Sequence, residues 1–289
     1  MPELFCFGFG YCAQALARSL DREAWRIAGT ARNLARARRA LPGVAIHAFD
    51  GDRPLPDFLA ALKAATHVLV SVPPEPEDAV LRWHGRDLAA LASLRWLGYL
   101  SATSVYGDCG GAWVDETAPV RPSGERGERR AAAEAGWREL WLRHRLPVHI
   151  FRLAGLYGPG RSVLDRLRAG TARNIVKPGQ QFSRIHAADV AQALAASMAR
   201  PRAGVIYNLA DDEPAAPQDV LAHGARLLGL PVPPPVPLAE ADMSSLARSF
   251  FEDHRRIDNR LMKQELGVRL RYPTYRQGLA ALAKSLAAT

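Results

Sequence analysis

The stretch Leu4-Phe5-Cys6-Phe7-Gly8-Phe9-Gly10-Tyr11-Cys12-Ala13 decides the fold of this 289-residue chain. Leu4 to Phe7 is apolar throughout, as a strand buried on both faces is. Gly8-Phe9-Gly10 closes it. Ala13, Leu16, Ala17 and Leu20 then recur at helical spacing, so a helix opens directly behind the turn. In such a strand–turn–helix setting the form G-x-G-x-x-A has a mechanical meaning. The first glycine permits a tight turn, the second lets the backbone approach a pyrophosphate, and Ala13 lets the helix pack close on the strand. The helix N-terminal N–H groups then favour the anion. The turn predicts a dinucleotide site in the first βα unit.

Outward from that turn, strands and helices alternate. Strands are expected near Arg26 to Thr30, Val44 to Phe49, His67 to Val72, Leu97 to Ser101 and Val148 to Leu153. Helical stretches fall between them at Asn33 to Leu41, Pro56 to Ala65, Asp78 to Leu94 and Glu125 to His144. This rhythm means βαβ units, hence an α/β Rossmann doubly wound parallel sheet with a smaller C-terminal substrate lobe. The boundaries that follow are 1–158 for the dinucleotide-binding domain, with a sheet-completing return near 180–212, and 159–289 for a smaller, mostly helical lobe. The prolines from Pro231 to Pro237 read as a loop within the lobe, followed by helical stretches at Asp258 to Leu266 and Tyr275 to Ala287.

The end of the second strand bears on the choice of cofactor. Sheets that bind NAD usually carry an acid there for the ribose hydroxyls. Gly29-Thr30-Ala31-Arg32-Asn33 has no acid and an arginine instead, with Arg36 one helical turn on. A guanidinium suits a 2′-phosphate, which an acid would repel. NADP is therefore expected rather than NAD, against the blander reading that Arg32 and Arg36 are simply solvated. The candidate cofactor contacts are Gly8, Phe9, Gly10, Tyr11, Cys12, Arg32, Arg36, Asp50, Ser71, Val72, Pro73 and Arg130.

Three further segments carry a family resemblance: Ser101-Ala102-Thr103-Ser104-Val105-Tyr106-Gly107, Arg152-Leu153-Ala154-Gly155-Leu156-Tyr157-Gly158-Pro159-Gly160 and Ile185-His186-Ala187-Ala188-Asp189. With the N-terminal turn they make the chain resemble the extended short-chain dehydrogenase/reductases, and the NAD-dependent epimerase/dehydratase group in particular. G-x-G-x-x-A in place of that group's GxxGxxG points to an atypical branch. The resemblance implies a Tyr-x-x-x-Lys pair on the helix after the acidic loop, and an upstream hydroxyl. Here Arg126 stands at the tyrosine position, Arg130 at the lysine position and Ala102 at the hydroxyl position. Arginine holds its proton at ordinary pH and cannot act as general acid or base. Thr103 and Tyr106 are the nearest hydroxyls and become the candidate catalytic residues. Arg130 could bind the ribose or a phosphate. Asp50 resembles the group's adenine-contacting acid, with a plain turn role as the alternative. His186 and Asp189 read as a structural pair, and Asp115-Glu116 as exposed. Phe182 replaces an arginine that often grips nucleotide-sugar phosphates, with Arg184 displaced beside it, which speaks against such a substrate.

Two functions remain open on these grounds: an NADP-dependent oxidoreductase or epimerase-like enzyme on an unknown carbonyl or alcohol, and a catalytically inactive NADP(H)-sensing regulatory protein. Lys plus Arg outnumber Asp plus Glu by 38 to 29, a formal charge of +9. The arginines between 121 and 145 are interleaved with Glu125, Glu128, Glu134 and Glu139, the pattern of a solvated helix face rather than a nucleic-acid surface. Cys6, Cys12 and Cys109 show no CxxC or metal spacing and read as reduced thiols, so no metal is expected. Without a signal-like N-terminus or an apolar run long enough for a bilayer, a cytoplasmic protein without a membrane partner is expected, in contact with a small-molecule substrate, with a homodimer left open.

Overall fold

The computed structural model describes residues 1–287. In chain order the first half comprises β1 (Glu3–Phe7), α1 (Tyr11–Ser19), β2 (Arg26–Ala31), α2 (Leu34–Ala40), β3 (Ala45–Ala48), α3 (Phe58–Leu62), β4 (His67–Val70), α4 (Ala79–Ala89), β5 (Trp96–Ala102), β6 (Trp113–Val114) and α5 (Glu125–His144). The second half continues with β7 (Val148–Leu153), β8 (Gly155–Tyr157), α6 (Val163–Arg168), β9 (Asn174–Val176), β10 (Arg184–His186) and α7 (Ala187–Ala199). It ends with β11 (Ile206–Leu209), α8 (Pro217–Leu228), β12 (Pro235–Pro237), α9 (Ser245–Ser249), β13 (Arg256–Ile257), α10 (Arg260–Leu266) and α11 (Tyr275–Ala287).

Seven strands form one wholly parallel sheet in the order β11-β7-β5-β4-β1-β2-β3. Strand order reverses beside β1, so the turn after β1 opens at the crevice where α/β sheets take their ligands. The central strands are buried on both faces, which is why they read as continuous apolar runs. On one face, Leu16 and Ala17 of α1, Leu194 and Met198 of α7 and Met262 of α10 share a cluster with Leu69 and Phe151 of the sheet. On the other, Phe58 and Leu62 of α3, Val80 and Leu88 of α4 and Trp137 of α5 pack on Phe5, Val68 and Leu97. The doubly wound expectation is met.

Outside this sheet, α6, α8 and α11 enclose their own cluster around Leu164, Leu221, Tyr275 and Leu279. Two-stranded parallel pairs, β8 with β10 and β9 with β12, frame it. Some sequence-based bounds shift. The helix expected from Pro56 to Ala65 is confined to Phe58–Leu62 behind a left-handed Asp57 (φ 52°). The helix expected to reach Leu94 ends at Ala89. Its start is pinned by Asp78, whose carboxylate accepts the Val80 and Leu81 N–H groups and the indole N–H of Trp137. That buried carboxyl fastens α4 to α5, and burial raises its pKa. Among the described residues no helix is long and apolar enough to cross a membrane.

Candidate functional site

The Gly8–Gly10 turn is held from both sides. The Gly8 N–H donates to Thr30 Oγ1 (2.9 Å) and the Phe9 N–H to the Thr30 carbonyl (2.6 Å). The Ser71 hydroxyl donates to the Gly8 carbonyl at 2.6 Å. Gly8 sits at φ +83°, where a side chain is strained, and a Cβ there would lie 3.0 Å from Ser71 Oγ and 3.2 Å from the Val72 nitrogen. Gly10 differs: a Cβ built on it would meet nothing within 4 Å. That open face lies at the start of α1, whose first turn carries no acid and no side-chain cap. The first N–H groups of a helix have no intrahelical acceptor. They are thus available to an anion, and the residues present fit a dinucleotide pyrophosphate. Ser71, Val72 and Phe9 serve the turn itself, with Phe9 and Cys12 buried against the sheet. Burial pushes the Cys12 thiol up to about 11.

At the end of β2, Arg32 and Arg36 are exposed, and among the described residues neither side chain has a hydrogen-bond or ionic partner. Asn33 caps α2 by accepting the Arg36 N–H at 2.9 Å, which pins the backbone between the two arginines. Asp50 is exposed after β3 and accepts the Asp52 N–H at 3.1 Å, the turn geometry of an Asx residue. Pro73 is exposed beyond β4.

Beyond the turn lies a cavity of about 1190 Å³. Ala102 and Thr103 at the end of β5 and Arg126 and Arg130 of α5 line it, together with Tyr157, Arg161, Arg184 and Tyr275 from the elements after β7. Tyr11 joins the two regions: its hydroxyl donates to the Pro159 carbonyl at 3.1 Å.

Three comparisons bear on what this arrangement is. The sequence model of the NAD dependent epimerase/dehydratase family matches residues 86–210. Protein YeeZ of Escherichia coli K12 is 32% identical over 247 residues, 81% of this chain and 86% of that protein. The chain belongs to the NAD-dependent epimerase/dehydratase family. A functionally unknown conserved protein from Silicibacter pomeroyi DSS has the same fold, with a TM-score of 0.90, 48% identity and 99% of both chains covered. The dTDP-glucose 4,6-dehydratase of Bacillus anthracis, solved in complex with NAD, shares the fold at a TM-score of 0.79 and 16% identity, covering 100% of this chain and 97% of that one.

Within the family frame, the chemistry positions have a distinct geometry here. Arg126 is exposed and its guanidinium carbon lies 4.9 Å from the centre of the Phe250 ring. Arg130 turns inward instead, donating from Nη1 to the Leu100 carbonyl (2.5 Å) and to the Tyr99 hydroxyl (3.2 Å). It lines the cavity, but that nitrogen is already engaged with β5. Thr103 lines the cavity and is nearly buried. Tyr106 does not line it. Its ring is sealed in the core, its hydroxyl donates to Asn208 Oδ1 at 2.7 Å, and burial raises its pKa. Of the two hydroxyl candidates, the structure brings only Thr103 to the cavity, because Asn208 at the end of β11 draws Tyr106 the other way.

Two further expectations are corrected, one of them at Asn208. Glu116 is half-buried rather than exposed, because its carboxylate accepts the Asn208 N–H at 2.7 Å, and burial raises its pKa. Asp115 is engaged in a local turn with Thr117. His186 and Asp189 do not pair with each other. His186 Nδ1 accepts the Ala188 N–H at 3.1 Å, and burial lowers its pKa to about 4. Asp189 fastens the C-terminal segment by accepting the Arg271 and Tyr272 N–H groups at 2.6 and 3.2 Å.

Sequence reasoning missed the buried ion pair behind α5. Arg152 donates to Glu134 from Nε (3.0 Å) and Nη2 (2.7 Å), a two-pronged bond with both side chains at most 4% exposed. Its guanidinium carbon lies 4.7 Å from the centre of the Tyr106 ring. Burial opposes the Arg152 charge, but the Glu134 carboxylate outweighs it and the pKa is raised. Asp211, just past β11, is also sealed in. Burial lifts its pKa to about 8 although Arg184 opposes the shift, and its Oδ2 has no hydrogen-bond partner among the described residues.

Proposed function

We propose that the chain binds NADP(H) at the Gly8–Gly10 turn and works as an oxidoreductase or epimerase-like enzyme on an alcohol or carbonyl carbon, with a non-standard catalytic set. The observation that carries this reading is the turn itself: an unfilled Gly10 face at an uncapped, acid-free helix start, with two unpaired guanidiniums at the end of β2. Arg32 and Arg36 suit the 2′-phosphate of NADP, and backbone N–H groups of α1 suit the pyrophosphate. The bound nicotinamide would supply or accept hydride. Thr103 would orient the substrate oxygen, and Arg126 would lower the cost of negative charge on it. Neither guanidinium nor an unassisted threonine exchanges protons at neutral pH, so the proton would come from water in the cavity. Calorimetry with NADP and NAD, followed by NADPH consumption across a panel of carbonyl compounds, tests the reading. Failure to bind either dinucleotide overturns it, and binding without consumption of NADPH overturns its enzymatic half.

The commitment of Tyr106 to Asn208 and of Arg130 to Leu100 favours a second reading, an NADP(H) sensor without turnover. Such a sensor must bind the oxidised and reduced forms unequally, since a ligand with no differential affinity shifts no equilibrium. Equal affinities with unchanged assembly would rule it out.

A further inference from the structure

We propose that Arg161 binds the dinucleotide pyrophosphate, reaching it from the turn after β8, across from the Gly8–Gly10 turn. The inference rests on the dinucleotide reading above. Arg161 is the last residue of a tight turn closed by two backbone bonds, Gly158 N–H to the Arg161 carbonyl (3.2 Å) and Arg161 N–H to the Gly158 carbonyl (3.0 Å). Gly160 takes the left-handed conformation the turn needs (φ +69°). On one side the turn is tethered by the Tyr11 hydroxyl on Pro159. On the other, Ser162 starts α6 in a reciprocal capping box with Asp165. The backbone that carries Arg161 is thus fixed relative to α1.

From there the guanidinium carbon lies 5.8 Å from the centre of the ring of Tyr11, the first residue of α1. Its charge is felt at the next residue too, where it opposes the burial that raises the Cys12 thiol. The side chain is exposed, lines the cavity and has no anionic partner among the described residues. The adjacent acid is not free to supply one: Asp165 Oδ2 accepts both the Ser162 N–H (2.7 Å) and its hydroxyl (2.6 Å). An uncapped helix start and an unpaired guanidinium are therefore brought together, the guanidinium near the ring of the helix's first residue, from two elements about 150 residues apart in sequence. A pyrophosphate carries charge on both phosphates. The helix start offers N–H groups from one side, and a guanidinium, with donors in a flat fork, suits the other.

Calorimetry on Arg161→Ala and Arg161→Lys tests this with three probes: NADP, ADP-ribose, which retains the pyrophosphate, and adenosine 2′-monophosphate, which lacks it. NMR titration serves for the weakest. Arg161→Ala should weaken NADP and ADP-ribose by roughly 10- to 100-fold, the range of one charge-assisted contact, with adenosine 2′-monophosphate within twofold of wild type. Arg161→Lys should fall between, and the unfolding midpoint should stay put because the residue is exposed. Unchanged ADP-ribose affinity in Arg161→Ala overturns the proposal, as does an equal loss for adenosine 2′-monophosphate. If the wild-type chain binds none of the three, the dinucleotide reading fails, and this inference with it.

Discussion

At the Gly8–Gly10 end of the site, charge stands in the open: Arg32, Arg36 and Arg161 reach solvent, and among the described residues no acid pairs with them. Behind and beneath the other end, charge is sealed in. Glu134 and Arg152 hold each other in the core, Asp211 sits against half-buried Arg184, and Arg130 is bonded to the sheet. The two ends should respond to substitution in opposite ways. An exposed cation without a partner contributes little to folding but can contribute fully to a ligand. A buried, paired charge does the reverse, since its loss strands a desolvated partner. The cofactor contacts proposed for the turn also rely largely on backbone, which tolerates change of side chains. The chemistry proposed for the other end relies on side chains, and the positions at which the family resemblance implies a hydroxyl, a tyrosine and a lysine hold Ala102, Arg126 and Arg130.

The largest effect should come from Glu134→Ala. It leaves the Arg152 charge buried and unpaired, at a cost of about 3–5 kcal/mol in unfolding free energy by urea titration. Adding Arg152→Met should recover most of that loss. NADP affinity of whatever remains folded should be unchanged; a large change in affinity would break the division between the two ends.

Asp211 gives the next effect, through pH. Its folded pKa, about 8, lies above the unfolded value. The folded state therefore holds a proton that the unfolded state releases near pH 4, and stability falls as pH rises toward 8, flattening beyond it. The span is on the order of a few kcal/mol before relaxation of the site. Asp211→Asn should abolish the decline between about pH 6.5 and 8, above the window in which buried histidines titrate. Persistence of the full decline in that variant would show that another group titrates. Burial works the other way on His67 and His149, whose pKa values are lowered to about 4. Their contribution is present above pH 6.5 and lost as pH falls toward 4.

Gly10→Asp turns the comparison into a difference of sign. Gly10 has an ordinary extended conformation (φ −90°, ψ −158°) and free space around its Cβ position. Aspartate is a better N-cap than glycine, so stability should hold or rise by a few tenths of a kcal/mol. Its carboxylate would occupy the anion's place, and dinucleotide affinity should fall by roughly 100-fold, about 2.7 kcal/mol. Arg32→Ala should do less, about 10- to 30-fold on NADP with NAD unaffected and no shift in unfolding midpoint. Equal losses for both dinucleotides would remove the case for a 2′-phosphate contact.

How much of this was readable in advance follows from how local each feature is. The parallel sheet was legible because short apolar runs and helical spacing alternate along the chain, and the phosphate turn because its glycines lie within three residues. Neither the direction of Arg130 nor the burial of Tyr106 was legible. The first depends on the Leu100 carbonyl 30 residues away, and the second on Asn208 across 102 residues. Arg161 carried no signal beyond its neighbouring glycines, because the role proposed for it depends on α1, about 150 residues away in sequence. Asp57 shortened α3 by adopting a left-handed conformation that asparagine and aspartate tolerate without announcing it.

The smallest effect belongs to Tyr11, which ties the turn after β8 to α1. Tyr11→Phe removes the hydroxyl that donates to Pro159 while leaving the ring under Arg161. A partly exposed, neutral hydrogen bond contributes about 0.5–1 kcal/mol, and water can replace the tyrosine at the freed carbonyl. Stability should therefore drop by no more than that. If the tether also holds the Arg161 turn in place, dinucleotide affinity should fall by about two- to threefold, and the fall should vanish in an Arg161→Ala background, because the two act through one contact. Persistence of the loss in that background would mean that the Tyr11 hydroxyl meets the ligand directly. A drop in stability of more than about 2 kcal/mol would place Tyr11 with the sealed groups instead of the open ones, since only buried partners cost that much when left unpaired.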